Sequence, residues 1–431
     1  MLVAIERCLG AVDPATVDLA GVALSTQRES VVAWHRRTGS AVAPLVGWQD
    51  VRTAEWCRLR TGPDDDDLVR RRTGLRIDPM FSAPKIAWLL REAAAGVDPG
   101  EICVGTVDAW LIWRLTAGRR HATEAGNASR TLLYDVVDLA WSAPLLDIFG
   151  VPGVVLPEVQ PSDGDFGVCR SVPGVTDGTP IAAVLADSHA ALFGQGCTEV
   201  GAAKATSGTG TSVMTPTTDF VPGHSPVPST LAWLTETPRY AREGNILSSG
   251  ATLAWAAKLL GVDVTGLLAL ADSEPDAGPV SLVPAFTGLG APHWDRDARA
   301  AITGLEPDAG PGRVARAAVD AVAHQVCDVV DVIDSDSPEP LPRLRADGGA
   351  TASDLLMQTQ ADLLGRPVEV ADLPEISAVG AADLARRRLG GPSRTPATGR
   401  VFEPGIDDGE RTARRDRWRT EVAWVRSRRP T

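Results

Sequence analysis

Short apolar runs separated by polar turns set the pattern of the first half of the chain. GVALST (21–26) and SVVAWH (30–35) are brief and β-branched, which predicts two strands; a turn at Arg36-Arg37-Thr38-Gly39 closes the second. In SAPKIAWLLREAAA (82–95), Ile86, Leu89 and Leu90 recur at helical spacing, with Ser82 as the expected cap and Pro84 in the first turn. TVDAWLIWRLT (106–116) predicts a second helix, capped by Thr106 and stopped near Gly118. IAAVLAD is apolar on every position up to Asp187 and predicts a fully buried strand ending at that carboxylate.

The pattern restarts after residue 196. AAKATSGTGTSVM predicts two strand arms around a glycine-rich turn, 244–260 a helix opened by glycine, and 312–334 a long amphipathic helix. RLRAD predicts a strand running into Gly348-Gly349, with helices following at 353–364 and 377–388. In the arginine-rich tail from 411, Trp418, Val422 and Val425 fall at i, i+4 and i+7, the stripe of a surface helix with a solvated basic face. Two successive α/β halves, 1–195 and 196–431, predict two lobes closing over a cleft.

Composition narrows the chemistry. A formal charge of −13 over 431 residues argues against nucleic acid or an anionic membrane face as partner. An anion such as a nucleotide must then be held by backbone N–H groups and a metal. Lysine occurs only at Lys85, Lys204 and Lys258; arginine supplies the other basic residues. Six scattered cysteines show no zinc or disulfide spacing, and no apolar run approaches the ~18 residues of a membrane span. The opening MLVAIERCLG reads as a helix, because Glu6 and Arg7 interrupt what a signal peptide would keep apolar. A cytoplasmic enzyme is the expectation.

Asp187 at a strand end suits a general base, since ligands of α/β sheets lie outside the carboxyl ends of strands. Position alone leaves a helix N-cap equally open. Ser207-Gly208-Thr209-Gly210-Thr211 could admit a phosphate to its backbone or be a plain hairpin turn. Asp347-Gly348-Gly349-Ala350 offers a tight turn before a helix N-terminus, or an ordinary βα turn, and Ser248-Ser249-Gly250-Ala251 opens a helix in the same way. Arg28 and Glu29 with Trp48 are equipment for a polyhydroxylated ligand, or a surface ion pair and a core indole.

Taken jointly, STQRESVVAWHRRTG, GWQDVRTAEW, MFSAPKIAWLL, GTVDAWLIWRLT, NASRTLL, ADSHAALFGQ, SGTGTSVM, VPAFTGLGAPHWDRDARA and ADGGATASDLLMQTQADLLGRPVE resemble the FGGY carbohydrate kinases, most of all their glycerol kinase branch. The resemblance runs from about residue 20 to the C-terminus. It implies two ribonuclease-H-like, actin-type domains with an interdomain cleft, and phosphorylation of a polyol or sugar by ATP with Mg2+. It implies Asp187 as catalytic base and Arg28, Glu29, Trp48 and Ser188 around the substrate. Gly208 and Thr209 match the ATP-phosphate turn; Gly250, Ala251, Gly349, Ala350 and Ser353 match the nucleotide pocket. The metal ligands are not assigned, and a homo-oligomer is left open.

Departures shape the expectation. The family opens with a strand and an Asp-x-Gly-Thr turn, which this chain lacks, so the resemblance implies a truncated N-terminal domain. It also opens a second reading, a catalytically impaired relative that binds sugar or nucleotide. Ala125, Ser212 and Ser188 stand where glycerol kinases carry Tyr, Phe and Gln. Three losses of bulk around one pocket imply an acceptor larger than glycerol or differently shaped.

Overall fold

In a computed structural model, the chain is described at residues 2–11, 17–60, 62–223, 225–337, 339–396 and 398–428. The opening helix α1 covers Leu2–Gly10, with Met1 outside the described residues. Strands β1 (Val22–Thr26) and β2 (Val31–His35) form where their apolar runs predict. Helix α2 spans only Ser82–Trp88 and continues as a wider π-turn over Leu89–Ala93. Its capping position is Phe81, which has no acceptor; the Ser82 hydroxyl donates instead to the Glu29 carbonyl at 3.2 Å.

Strand β3 (Ile102–Thr106) pairs antiparallel with β2, Val31 opposite Thr106. Helix α3 (Val107–Leu115) follows with Thr106 at its capping position, but that hydroxyl bonds the Asp108 carboxylate and no backbone N–H. Strand β4 (Ile181–Ala186) has every residue buried and runs parallel to β1, Thr26 opposite Ala186. Among the described strands β1 pairs with β4 alone. Helix α4 (Asp187–Gly194) begins at the end of β4.

The second half is organised by one seven-stranded sheet. Its strands in chain order are β5 (Lys204–Ser207), β6 (Thr211–Thr217), β7 (Ser229–Leu234), β8 (Pro238–Ile246), β9 (Leu344–Asp347), β10 (Val368–Ala371) and β11 (Thr398–Phe402). They lie in the order β7-β8-β6-β5-β9-β10-β11, with β5–β9 and β9–β10 parallel and the rest antiparallel. The helix expected from 244 starts later: β8 holds Gly244–Ile246 in pairing with β6, and helix α5 covers Gly250–Leu259. Helix α6 (Pro311–Ser335) crosses this lobe, packing buried Val319, Val322, Val326 and Val329 into its core.

A short 3₁₀ turn, Gly349–Ala352, separates β9 from helix α7 (Asp354–Leu364). Helix α8 (Ile376–Arg388) returns to the first half: Ala381, Leu384 and Ala385 pack with Ala182, Ala183 and Leu185 of β4. The tail helix α9 (Asp408–Ser427) buries Trp418, Val422 and Val425 as its stripe predicts. Arg415 departs from the solvated basic face: it is buried and bonds Asp328 at 2.7 Å and Asp331 at 2.8 Å. No single helix among the described residues is long and apolar enough to cross a membrane.

Candidate active site

The β1–β2 turn delivers Arg28 and Glu29 into the interior. Glu29 is left-handed (φ 59°), and the Ser30 N–H closes a tight turn by donating to the Arg28 carbonyl at 2.6 Å. A non-glycine residue there costs about 1–3 kcal/mol and persists only when its surroundings over-determine it. Here they do. Arg28 is 6% exposed and forks onto Glu243 of β8, Nη2 to Oε1 at 2.6 Å and Nη1 to Oε2 at 2.7 Å. Arg130 donates to Glu29 Oε1 at 2.7 Å and lies 3.0 Å from Glu243 Oε2. Two guanidiniums and two carboxylates thus form one closed, buried array, which rules out the surface ion pair. Burial pushes the Glu243 carboxyl up, but Arg130 and Arg28 outweigh it and hold the group well below the usual carboxylate range.

Asp187 opens α4, one position past the cap, which falls to Ala186. Its carboxylate accepts the Ser188 N–H at 2.7 Å and lies 3.8 Å from Arg28 Nε. The side chain is 46% exposed, so it faces the opening while the rest of the array is sealed. Burial of its surroundings raises the carboxyl above its ordinary value, and Arg28 pulls against that. His189, next in line, stands 3.4 Å from Arg28 Nη1 and is held neutral by burial and by Arg28.

Across the opening, Gly208-Thr209-Gly210 joins β5 to β6. The helix N-terminus behind it is not free. Gly250 N–H donates to the Gly208 carbonyl at 3.0 Å, and the Ser249 and Ala251 N–H groups to the Thr209 carbonyl at 2.9 and 3.1 Å. Gly250 and Ala251 therefore brace the turn, with their N–H groups committed to its carbonyls. Gly250 must be glycine for this approach, since a Cβ would meet the Gly208 oxygen at 2.5 Å. At the second glycine pair the demanding residue is Gly348: its φ is 93° and a Cβ would come within 2.5 Å of the Ser207 carbonyl oxygen. A Cβ on Gly349 would meet nothing within 4 Å. The helix beyond is capped, because Ser353 Oγ accepts the Leu356 N–H at 3.2 Å.

One cleft of about 220 Å³ joins these pieces. It is lined by Arg28, Glu29, Trp48, Asp187 and Ser188 from the first half of the chain and by Gly208–Ser212 from the second. Gly250, Ala251, Gly349, Ala350 and Ser353 do not line it; the first two act on it through the Gly208–Thr209 turn. Ala125 does not line it either and is fully buried in an apolar cluster with Leu231 and Tyr240. Met80 does line the cleft. Ser188 and Ser212 do line the cleft, and Ser212 Oγ donates to Glu243 at 2.8 Å.

Sequence reasoning missed Glu243, Arg130 and Met80. Arg130 stood inside the NASRTLL motif, and Glu243 was the lone acid of the strand PRYAREGNI; neither showed its partner. Among the described residues no group of three or more His, Cys, Asp or Glu could hold a metal ion.

Comparison with known proteins agrees with this geometry. Residues 4–194 match the N-terminal domain of the FGGY family of carbohydrate kinases, and 203–388 match its C-terminal domain. The chain belongs to the FGGY family of carbohydrate kinases. It is 42% identical to an apulose kinase of Pectobacterium atrosepticum over 99% of this chain and 88% of that one. A glycerol kinase of Aromatoleum aromaticum is 43% identical over 95% of this chain and 85% of that one. The crystal structure of Plasmodium falciparum glycerol kinase with ADP superposes at a TM-score of 0.83 with 30% identity, covering 94% of this chain and 83% of that one. The actin-like two-domain fold of sugar kinases is thereby shared.

Proposed function

We propose that this FGGY kinase transfers the terminal phosphoryl group of ATP to a hydroxyl of a sugar or polyol larger than glycerol. Asp187 is the base, and Arg28, Glu29, Trp48 and Ser188 hold the acceptor. The observation that carries this reading is that Asp187, at the start of α4, and the Gly208–Thr209 turn between β5 and β6 line one and the same cleft. A base must lie within hydrogen-bond reach of the proton it takes, and in-line transfer puts donor phosphate and acceptor hydroxyl on one axis. The half-exposed Asp187 meets the first requirement. Its neighbour Arg28, committed to Glu243 through both terminal nitrogens, fixes the field around it.

The nucleotide supplies the phosphoryl group, and the residues present fit it: a turn of two glycines and a threonine, braced from behind, lets backbone approach phosphate oxygens. Of the two carboxylates that line the cleft, Glu29 is bonded to Arg130, so Mg2+ would be held by phosphates, water and at most Asp187, as is usual for this ion. Gly349, Ala350 and Ser353 follow Gly348, which packs on Ser207 just before the turn, and this supports assigning them to the base and ribose. Consumption of ATP suits a cytoplasmic enzyme.

Ser188 and Ser212 support the larger acceptor, since both are small and both line the cleft. No specific observation favours the impaired-relative reading. A coupled ADP-release assay across glycerol, erythritol, xylulose, ribulose and apulose tests the proposal. Turnover of a four- or five-carbon acceptor at higher kcat/KM than glycerol is expected. Equal turnover of glycerol would remove the size argument, and no ADP release with any acceptor would remove the kinase assignment of this site.

A further inference from the structure

Lysine is almost absent from this chain, yet two of its three lysines, Lys85 and Lys204, are fully buried, one in each half of the chain. Arginine serves nearly everywhere else a cation is needed. A compact ammonium offers three rotatable donors from one point, which a planar guanidinium cannot do. At Lys85 those donors meet three main-chain carbonyls. Nζ bonds the Met80 oxygen closely, the Phe81 oxygen at 3.3 Å and the Glu29 oxygen at 3.5 Å.

Met80 and Glu29 both line the cleft. Glu29 is the left-handed residue of the turn that presents Arg28, and its carbonyl has two donors: Lys85 and the Ser82 hydroxyl. The ammonium therefore ties the α2 wall to the β1–β2 turn at the point where the backbone is strained. Among the described residues no carboxylate lies within ion-pair distance of it; Glu29, Asp78, Asp50 and the Cys57 thiol surround it at longer range.

We propose that Lys85 is a positioning residue for the acceptor: it holds the Glu29 peptide and the Met80 wall in register and touches neither substrate nor nucleotide. This rests on the acceptor role of Arg28 and Glu29 given above. Burial lowers the Lys85 ammonium to about 8, against the attraction of Glu29, Asp78 and Asp50. Above that pH the neutral amine keeps only two hydrogens for three carbonyls, and the tie loosens. Stability moves the other way. The unfolded lysine keeps its proton to about 10.5, so raising the pH from 8 towards 10.5 favours the folded form at this group.

The test measures acceptor KM, ATP KM and kcat for wild type from pH 7 to 9.5, alongside Lys85→Met, Ser82→Ala and Glu29→Gln. Expected are a rise in wild-type acceptor KM of about tenfold above pH 8, with ATP KM flat and thermal stability not falling in parallel. Lys85→Met should start about tenfold high in acceptor KM and lose the pH dependence, with kcat within about threefold. Ser82→Ala should raise acceptor KM two- to threefold. A wild-type acceptor KM flat to pH 9.5 overturns the proposal even if Lys85→Met does not fold. So does a Lys85→Met protein whose ATP KM rises as much as its acceptor KM. Glu29→Gln separates the two failures. If it raises acceptor KM while Lys85 is silent, only the tie is wrong; if it too is silent, the acceptor assignment has failed.

Discussion

The two walls of the cleft are built from opposite materials. The acceptor wall is an array of fixed charges: Arg28, Glu29, Arg130 and Glu243, none more than 6% exposed. The wall assigned to phosphate is main chain, Gly208-Thr209-Gly210, with the Gly208 and Thr209 carbonyls braced by the N–H groups of Ser249, Gly250 and Ala251. On the proposed assignment an uncharged polyol meets charges, and a polyanion meets neutral amides. This is sensible physics for a chain of net charge −13. A polyol needs many oriented donors and acceptors, and paired charges hold their geometry against each other. A triphosphate needs donors without a fixed cation that would hold the product as tightly as the substrate.

The comparison breaks hardest at Asp187, where the walls meet. Asp187→Asn should lower kcat by roughly 10²–10⁴-fold, the usual worth of a general base, while nucleotide affinity stays unchanged in a direct binding measurement. The wild-type kcat/KM should show an acid limb above the ordinary carboxylate range, because burial raises this group and protonation removes the base. Asparagine should abolish that limb. A residual rate with the limb intact would move the base elsewhere.

Next in size is Glu243→Gln, which leaves Arg28 and Arg130 facing each other across one neutral amide. Breaking a buried pair by removing one partner costs about 3–5 kcal/mol, because the remaining charge stays uncompensated. The folded-state carboxyl is depressed, so wild type keeps this contribution above the ordinary carboxylate range and loses it only in stronger acid. Chemical unfolding at pH 7 should show the full deficit in the variant, narrowing as the pH is lowered. Acceptor KM should rise with it. The phosphate wall should respond differently to an insult of its own: Gly250→Val places carbon against the Gly208 oxygen and displaces the turn. ATP KM should rise about tenfold, some 1.4 kcal/mol, with acceptor KM held.

The same contrast explains what was legible in the sequence. β4, the β5–β6 hairpin and α6 were readable because each is a local pattern: an unbroken apolar run, two arms around glycines, a stripe at helical period. The phosphate wall was readable too, since its residues are consecutive and its glycines announce close approach. The acceptor wall was only half readable. Arg28 and Glu29 were visible, but their partners Arg130 and Glu243 lie 101 and 215 residues away, and pairing at that distance leaves no local trace. The misplaced helix start at 244 has the same origin. Gly244 reads as a helix opener, but its pairing with Val213 of β6 keeps it in the sheet. Ala125 shows a related limit: a small residue in a substrate motif does not say whether it will line the cleft, and here it packs in an apolar cluster.

Ser353 gives the finest division between the walls. The family resemblance sets it near the adenine, yet its hydroxyl already caps α7 through the Leu356 N–H and is 8% exposed. A cap and a nucleotide contact predict different losses. Ser353→Ala should cost about 0.5–2 kcal/mol in unfolding free energy, the usual price of a lost serine cap. ATP affinity by calorimetry should stay within twofold. Ser353→Asp, which can still cap, should restore stability, and beside a nucleotide its added charge would weaken ATP binding severalfold. Should alanine instead weaken ATP binding with stability unchanged, the neutral wall would extend one residue further than the cleft geometry draws it, and the hydroxyl would serve the nucleotide before the helix.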